Sequence, residues 1–539
     1  TIGIRGPQII NQLVEKGYLI TRFELVPRPL KPSFQEIVVL TSSDIIAISF
    51  IKKFAGTRYQ RRSDLLKYLL GNTIPETRTK LIKQFGRSSI NWAIQSRQIK
   101  TIKRKVHRDP LKGFVIKKES IFEPNKAQKS AISIIKKSID PEGKSSQFLL
   151  HGVTGSGKTE VYLQSTAHAL KFDKCVIVLV PEIALTPQLL HRFASRFPGK
   201  VALLHSGLTR GERFDQWWRI KNGDYSVVLG SRSAIFAPVK NLGLIIIDEE
   251  HEWTYKQQDR SPRYHSRVVA KKLASITGST LVLGSATPSL ISFHETERGA
   301  LKILKLPYQA TKITPSEREQ NRKTDITLVD MKSELRAGHI SILSRPLLDA
   351  MTKTISAGDK IVLFLNRRGL AGFIQCTNCG TTKRCANCEM TLKLHGVKKK
   401  HTEILICHFC NYSVETGRVC DRCGGTNVRR TGAGTETVVN LINQHFPAIE
   451  VLRWDSDIAQ NFQEHLSILN QFENGSANIL VGTQMVAKGL DVPGVTLVGA
   501  ITADIGLESP DFTAAERVYQ VLAQVSGRAD RGDKNGRVI

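Results

Sequence analysis

Residues 147–170 read QFLLHGVTGSGKTEVYLQSTAHAL: an apolar strand-like run, a glycine-rich loop and a helix-forming run in direct succession. This stretch narrows the fold more than any other, because GVTGSGKT fits G-x-x-x-x-G-K-[ST] in full between the two elements that such a loop needs. Its glycines let backbone N–H groups turn toward phosphate oxygens, and the start of the helix adds a favourable dipole. Gly155 and Gly157 shape the cradle, Lys158 reaches the β- and γ-phosphates of a nucleotide, and Thr159 is a ligand for its Mg²⁺.

The loop sits in a longer pattern. CVIVLVPE, YSVVLG, LGLIIIDEE and STLVLGSAT alternate with polar or helical stretches, and the texture returns at DKIVLFLNRRG, IEVLRWDSD, ANILVGTQM and TLVGAITAD. Nearly continuous apolar strands between helices imply parallel sheets covered on both faces. The expected class is α/β, with two parallel-sheet lobes. The first spans 120–305, residues 306–324 link the two, and the second occupies 325–372 and 427–539 around an insertion at 373–426. The end of the strand LIIIDEEH supplies the acidic partner of the loop: Asp248 for the Mg²⁺ shell and Glu249 for the attacking water. QVSGRADRG places Arg528 and Arg531 three apart, as an arginine finger would be if the segment were helical. A second lobe without its own phosphate loop, offering arginines across a cleft, turns hydrolysis into lobe motion.

The insertion holds eight of the nine cysteines, as four C-x-x-C pairs between Cys376 and Cys423. Absence of a signal-peptide pattern and of any 18-residue apolar run sets them in a reducing compartment, the cytoplasm, where paired cysteines bind metal. Eight thiolates complete two Cys₄ zinc sites. Pairing is open between a sequential scheme, 376/379 with 385/388 and 407/410 with 420/423, and a nested one. The nested scheme joins Cys376, Cys379, Cys420 and Cys423 around one zinc and Cys385, Cys388, Cys407 and Cys410 around the other. It returns the chain to where it left the lobe, as an insertion requires. Cys175, in CVIVLVP, reads as a core residue.

The chain of 539 residues carries a net charge of +30, which favours a polyanionic partner. Residues 1–120 hold 24 Lys and Arg against 8 Asp and Glu, a net of +16. Residues 1–43 read as a terminal segment and linker. Residues 44–114 show short helices followed by a basic extended piece, a winged-helix-like domain. The chain starts without Met and stops in GDKNGRVI, so both ends read as boundaries of a processed or longer protein. After the acidic motif, EWTYKQQDRSPRYHSR interleaves Trp253, Tyr255 and Tyr264 with Lys256, Arg260, Arg263 and Arg267, a pattern that stacks bases and follows phosphates. Arg232, Asn366, Arg367 and Arg368 are candidate backbone contacts, and KRKVHR, 103–108, is a basic face open to duplex. Such contacts give salt-dependent affinity with little sequence preference.

GVTGSGKTE, VPEIALTPQL, HSGLTRGERFDQW, VVLGSRSAIFAP, DEEHEWTYKQQ, GSATPS, FLNRRG, the cysteine block, GAGTE, ILVGTQMVAKGLDVPGVTLV and QVSGRADRG occur in one order. This set resembles the PriA family of bacterial primosomal replication-restart helicases, in superfamily 2, over residues 120–539. The resemblance implies two RecA-like lobes, ATP as the nucleotide, Gln128 on its adenine, and Ser285, Ala286 and Thr287 coupling hydrolysis to DNA movement. It implies that Thr483, Gln484, Lys488, Gly489 and Asp491 touch strand backbone and nucleotide, that Arg528 and Arg531 are the finger pair, and that the zinc pairing is nested. Where the family reads GRAGRG this chain reads GRADRG, so Asp530 can draw an arginine into a local ion pair. The resemblance further implies a reduced N-terminal remnant, a nucleoid-associated setting, and 3′→5′ unwinding of forks and D-loops. The partners it implies are single-strand-binding protein and other primosome proteins. A translocase that does not unwind, or a zinc-bearing scaffold with weak ATPase, shares the same residues.

Overall fold

The computed structural model describes residues 13–14, 16–19, 32–72, 75–110, 122–181, 187–258, 261–309, 324–366, 372–376, 378–396, 403–417, 419–426, 428–431, 434–455, 458, 462–483, 486, 492, 494–507, 511–529 and 536–539. It divides into two compact units, one built from the N-terminal region and one containing both lobes.

In the first unit, β1 (Ser33–Leu40), β2 (Glu76–Thr77) and β3 (Ile99–Val106) form an antiparallel sheet in the order β2-β1-β3. β1 and β3 pair along their whole length, from Ser33 opposite Val106 to Leu40 opposite Ile99. Four helices lie between these strands. The Thr77 side chain caps the helix Arg78–Phe85, which stops at Gly86. Gly86 has φ +85°, a left-handed backbone that glycine adopts without strain, and the helix Arg87–Gln95 begins at once. Val38, Leu65, Leu81, Phe85, Ile90 and Ile99 close the core. The domain expected to start at residue 44 therefore takes in a strand from the segment read as linker. Prolines at 27, 29 and 32 hid the alternation that follows them.

In the second unit, the first lobe carries β4 (Gln147–Gly152), β5 (Cys175–Leu179), β6 (Val201–Leu204), β7 (Val227–Gly230), β8 (Leu242–Asp248), β9 (Thr280–Ser285) and β10 (Lys302–Leu306). All are parallel, in the order β10-β4-β9-β8-β5-β7-β6. β8 is buried except at its ends and β9 throughout, which is why both read as uninterrupted apolar runs. β4, β9 and β8 are neighbours, so the glycine-rich loop, the Ser285 segment and Asp248 leave three adjacent strands at one edge of the sheet, where ligands bind in open α/β sheets.

The second lobe contains β11 (Asp325–Ile326), β12 (Lys360–Leu365) and, after the insertion, β18 (Val451–Trp454), β19 (Ile479–Gly482), β20 (Val495–Ile501) and β21 (Arg537–Val538). These are also parallel, in the order β11-β21-β20-β12-β19-β18. Two apolar clusters cover its faces, one around Phe364, Trp454 and Phe472, the other around Met351, Leu363 and Ile442. Within the insertion, β13 (Phe373–Cys376) pairs antiparallel with β17 (Val428–Thr431), so the chain leaves and returns at one place. Beyond that base, β14 (Lys393–Gly396), β15 (Glu403–Ile406) and β16 (Ser413–Glu415) make a small antiparallel sheet.

Candidate functional site

The phosphate loop is shaped by Gly155 and Gly157, with φ of +75° and +76°. Gly157 precedes the helix Lys158–Lys171 and offers no side-chain cap, so the first N–H groups of that helix stay directed at the loop. Lys158 Nζ donates to Gly152 O at 3.0 Å, and Thr159 stands half-buried beside it. Among the described residues the buried Ser156 Oγ has no hydrogen-bond partner. Gln128 differs from its sequence reading. Its Oε1 accepts the Asn125 N–H in a capping box and its Nε2 donates to Ser156 O at 2.8 Å. At 3% exposure, with both ends of the amide engaged, it braces the loop.

Asp248 ends β8 and accepts the Tyr162 hydroxyl at 2.9 Å. Burial pushes the Tyr162 phenol well above its ordinary value, so it remains a donor. Tyr162 fits because Gly284 faces it: a Cβ there would lie 1.6 Å from the hydroxyl oxygen. Burial, and then the charge on Glu249, raise the Asp248 carboxyl to about 6. Burial acts on Glu249 in the same direction, but the charges of Lys158, His251 and Arg528 outweigh it and hold Glu249 below the usual carboxylate range. The two adjacent carboxyls are thereby set apart. Glu249 has φ +46°, a left-handed backbone uncommon outside glycine.

His251 links the motif to its surroundings. Its Nδ1 bonds Ser285 Oγ at 2.7 Å, and Ser285 Oγ also accepts the Thr287 N–H. From the second lobe, Gln524 Nε2 reaches His251 Nε2 at 3.0 Å and Glu249 Oε2 at 3.3 Å. In the neutral imidazole an amide donor on Nε2 sets the proton on Nδ1, toward Ser285, whereas the charged ring that draws down Glu249 carries a proton on both nitrogens. Glu250, fully buried, pairs with Arg267 at 2.6 Å and binds Ser289 through its N–H and hydroxyl. Sequence reasoning overlooked Tyr162, Gln524 and Glu250. Gln524 alone had a signal, four residues before Arg528.

Arg528 is 8% exposed and electrostatically coupled to Glu249, as a finger would be. The helix Ala514–Ser526 ends before it, so Arg528 itself lies in the turn that follows the helix. A Cβ at Gly527 would meet Thr154 Oγ1 at 2.7 Å, which brings the turn bearing Arg528 directly onto the phosphate loop. Thr483 is buried at the end of β19, and among the described residues its Oγ1 has no hydrogen-bond partner; Thr287 Oγ1 likewise has none among them. Asp530, Arg531, Gln484, Lys488, Gly489, Asp491, Arg260, Arg367 and Arg368 lie outside the described residues.

The aromatic loop separates into a floor and a surface. Trp253 is 41% exposed, and Lys256 and Arg263 are exposed beside it. Tyr255 is not a stacking face. It is 1% exposed and its hydroxyl donates to Asp248 O at 2.7 Å, so it belongs to the lobe core. Arg267 is buried on Glu250, so its guanidinium is not offered at the surface. Arg232 Nη1 donates to Thr254 O and Lys256 O, at 3.0 and 3.2 Å, and braces the loop from below. Tyr264 packs edge-on against the exposed Phe236, an aromatic that sequence reading passed over. In the first unit, Arg78, Lys80, Lys83, Arg87 and Lys103 line a groove of about 1160 Å³.

The cysteines gather in two sets: Cys376, Cys379, Cys420 and Cys423, and Cys385, Cys388, Cys407 and Cys410. Each is the nested grouping, with all four sulfurs within 4.8 Å of one another. No disulfide joins them. Sulfur–sulfur separations of 3.6 Å in the first set and 3.4–3.8 Å in the second match the edge of a thiolate tetrahedron built on a Zn–S bond of about 2.3 Å. The donor set fits zinc.

Residues 121–290 match the family described as type III restriction enzyme, res subunit, and residues 426–533 match the helicase conserved C-terminal domain. The replication restart protein PriA of Bacillus subtilis is 39% identical over 541 residues, covering 99% of this chain and 65% of that protein. Its counterpart in Synechocystis is 45% identical over 398 residues, covering 73% of this chain and 47% of that protein. That of Haemophilus influenzae is 42% identical over 393 residues, with 73% and 52% covered. The chain spans about half to two thirds of the length of these relatives.

Proposed function

We propose, from the premise that this chain belongs to the PriA family of superfamily 2 helicases, that it is an ATP-dependent DNA helicase whose two lobes work on one nucleotide. The observation that carries the reading is the amide of Gln524, a second-lobe residue in hydrogen-bond reach of both Glu249 and His251 of the first. A change at the hydrolytic carboxylate is thereby felt by the other lobe, and lobe movement is felt by the carboxylate.

In this reading Lys158 and the N–H groups at the helix start bind the phosphates. Glu249, kept ionised by its cationic neighbours, orients the attacking water and takes its proton. Asp248 and Thr159 would hold Mg²⁺, whose charge offsets that of the phosphate oxygens. Tyr162 fixes the rotamer of Asp248. Arg528 stabilises charge at the transferred phosphoryl group, so hydrolysis is fastest when the lobes are closed. His251, Ser285 and Thr287 carry the change to the DNA path, where Trp253, Lys256 and Arg263 offer a base-stacking face and phosphate contacts. The basic groove of the N-terminal unit holds duplex DNA, and the two Cys₄ sets each hold one Zn²⁺. The finer reading is 3′→5′ unwinding at forked or D-loop DNA in the bacterial cytoplasm, at the nucleoid, with single-strand-binding protein and other primosome proteins as partners. Among the described residues no helix is long and apolar enough to cross a membrane.

The test is ATP hydrolysis by the chain with forked, single-stranded and duplex DNA, alongside strand displacement from substrates of both polarities. Stimulation by DNA with displacement of one polarity supports the reading. Stimulation without displacement makes the chain a translocase. No stimulation by any nucleic acid overturns the motor.

A further inference from the structure

The helix Ala514–Ser526 carries Glu516, Gln520 and Gln524 at four-residue spacing, on one face. Gln524 meets the hydrolytic site. Glu516, two turns earlier, meets something outside it: its Oε1 accepts the backbone N–H of Leu290 at 2.9 Å. The same oxygen accepts Gln520 Nε2 at 3.1 Å, and Gln520 is 5% exposed, so the carboxylate is held from its own helix.

Leu290 opens the helix Leu290–Glu297, immediately after the GSATPS segment. Its N–H is one of those that a helix start leaves without an intrahelical partner, and a carboxylate there also complements the helix dipole. The Leu290 side chain is 69% exposed, so the bond to Glu516 is made by the backbone alone. The same helix start is gripped from inside the first lobe. Glu250 accepts the Ser289 N–H at 2.7 Å, and Arg267 bonds both Glu250 and Ser289. The acidic motif therefore reaches the second lobe along two chains of bonds. One runs from Glu249 and His251 to Gln524. The other runs from Glu250 through Ser289 and Leu290 to Glu516. Both end on a single helix face.

We propose that Glu516 is a positioning residue that, through Leu290 just beyond it, ties the coupling segment Ser285, Ala286 and Thr287 to the second lobe, separately from Gln524, so that displacement of that segment by DNA is passed to the helix that leads into Arg528. This rests on the motor reading above. A residue that merely glued the lobes would change all hydrolysis alike. A residue that reports the coupling segment changes the ratio between DNA-stimulated and unstimulated hydrolysis.

The experiment uses the whole chain with Glu516→Ala and Glu516→Gln. Amide hydrogen exchange at Leu290 is expected to rise at least about fivefold in E516A and to return toward wild type in E516Q, whose side-chain oxygen still accepts. Stimulation of hydrolysis by single-stranded DNA is expected to fall at least about threefold in E516A with the unstimulated rate unchanged. Unaltered exchange at Leu290 in E516A, or equal loss of both rates, overturns the proposal. If the wild-type chain shows no stimulation by DNA, it is the motor reading that fails, and the exchange comparison still decides whether Glu516 holds Leu290.

Discussion

The two parallel-sheet lobes and the cysteine-rich insertion solve the same problem by opposite means. Among the described residues the second lobe buries fourteen side chains in one cluster, among them Phe364, Trp454 and Phe472. Among the described residues the insertion it carries has a core of five, Ile374, Cys385, Leu392, Leu405 and Cys407, and two of those five are proposed zinc ligands. A module that small buries too little apolar surface to offset its chain entropy without staples. The lobes are held by burial, and their polar sites sit on a frame that is already stable. In the insertion the metal sites would be the frame. The nested pairing fits this, since Cys376 lies in β13, which pairs with β17 to close the base, and Cys407 directly follows β15 of the small sheet.

The strongest way to break the comparison is to remove the metal. Two zinc ions per chain are expected by mass spectrometry. Structural zinc sites contribute about 10–16 kcal/mol of apparent folding free energy each. A chelator should therefore collapse amide protection across 376–423 while β4, β8 and β12 keep theirs. Loss of protection in the lobes at the same chelator concentration would show that the insertion is part of their frame.

The reverse test acts on the lobe and spares the insertion. Lys158→Ala should slow ATP hydrolysis at least about 1000-fold, equivalent to about 4 kcal/mol of transition-state stabilisation. Zinc content and exchange in the insertion should stay at wild-type values. A change in either would mean that the nucleotide site and the metal sites share their stability.

A third variant sharpens what "frame" means in the first lobe. The folded-state value of Asp248, about 6, lies above its unfolded value of about 3.9. Its contribution is thus most favourable below the unfolded value and is lost as pH rises from about 4 through about 6, so at neutral pH the ionised carboxylate destabilises the fold. Asp248→Asn should stabilise the lobe at pH 7 by on the order of 1–2 kcal/mol, allowing for the carboxylate's partial exposure, and the gain should vanish near pH 4. It should also abolish hydrolysis, while the unfolding of the insertion stays where it was. Thermal unfolding at both pH values measures this.

Legibility in the sequence followed the same divide. Local, dense patterns were readable: the phosphate loop, the acidic strand end, the paired cysteines and the apolar runs that became two parallel sheets. Residues whose role depends on what the fold brings beside them were not. Glu250 and Arg267 sit 17 positions apart and look like a surface acid and a phosphate contact, yet they are a buried pair. Tyr162 reads as one apolar position on a helix, and only the β8–β9 pairing, with Gly284 across from Asp248, leaves space for its hydroxyl. Glu516 lies 226 residues from Leu290, and no periodicity could join them. β1 was lost for a different reason, since prolines just ahead of the strand mimic a linker.

The smallest effects expected lie within one loop, where exposed and buried aromatics stand two residues apart. Tyr255→Phe removes a hydroxyl donated to Asp248 O and leaves that carbonyl short of a partner, so the lobe should lose about 1 kcal/mol, with hydrolysis slowed because Asp248 shifts. Trp253→Ala strips an exposed face, and its stability should stay within about 0.5 kcal/mol of wild type. If Trp253 stacks bases, its removal weakens single-stranded DNA binding by about 1–3 kcal/mol and leaves unstimulated hydrolysis alone. The two variants therefore separate by kind of effect: Tyr255→Phe acts on the fold with or without DNA, and Trp253→Ala acts only in its presence. Denaturant titration of both, paired with fluorescence anisotropy of a labelled oligonucleotide, reads the difference. Equal loss of stability in both would merge the surface of the loop with its floor. A Trp253→Ala chain that binds DNA as wild type does would move the stacking face elsewhere, with Phe236 and Tyr264 the next pair to substitute.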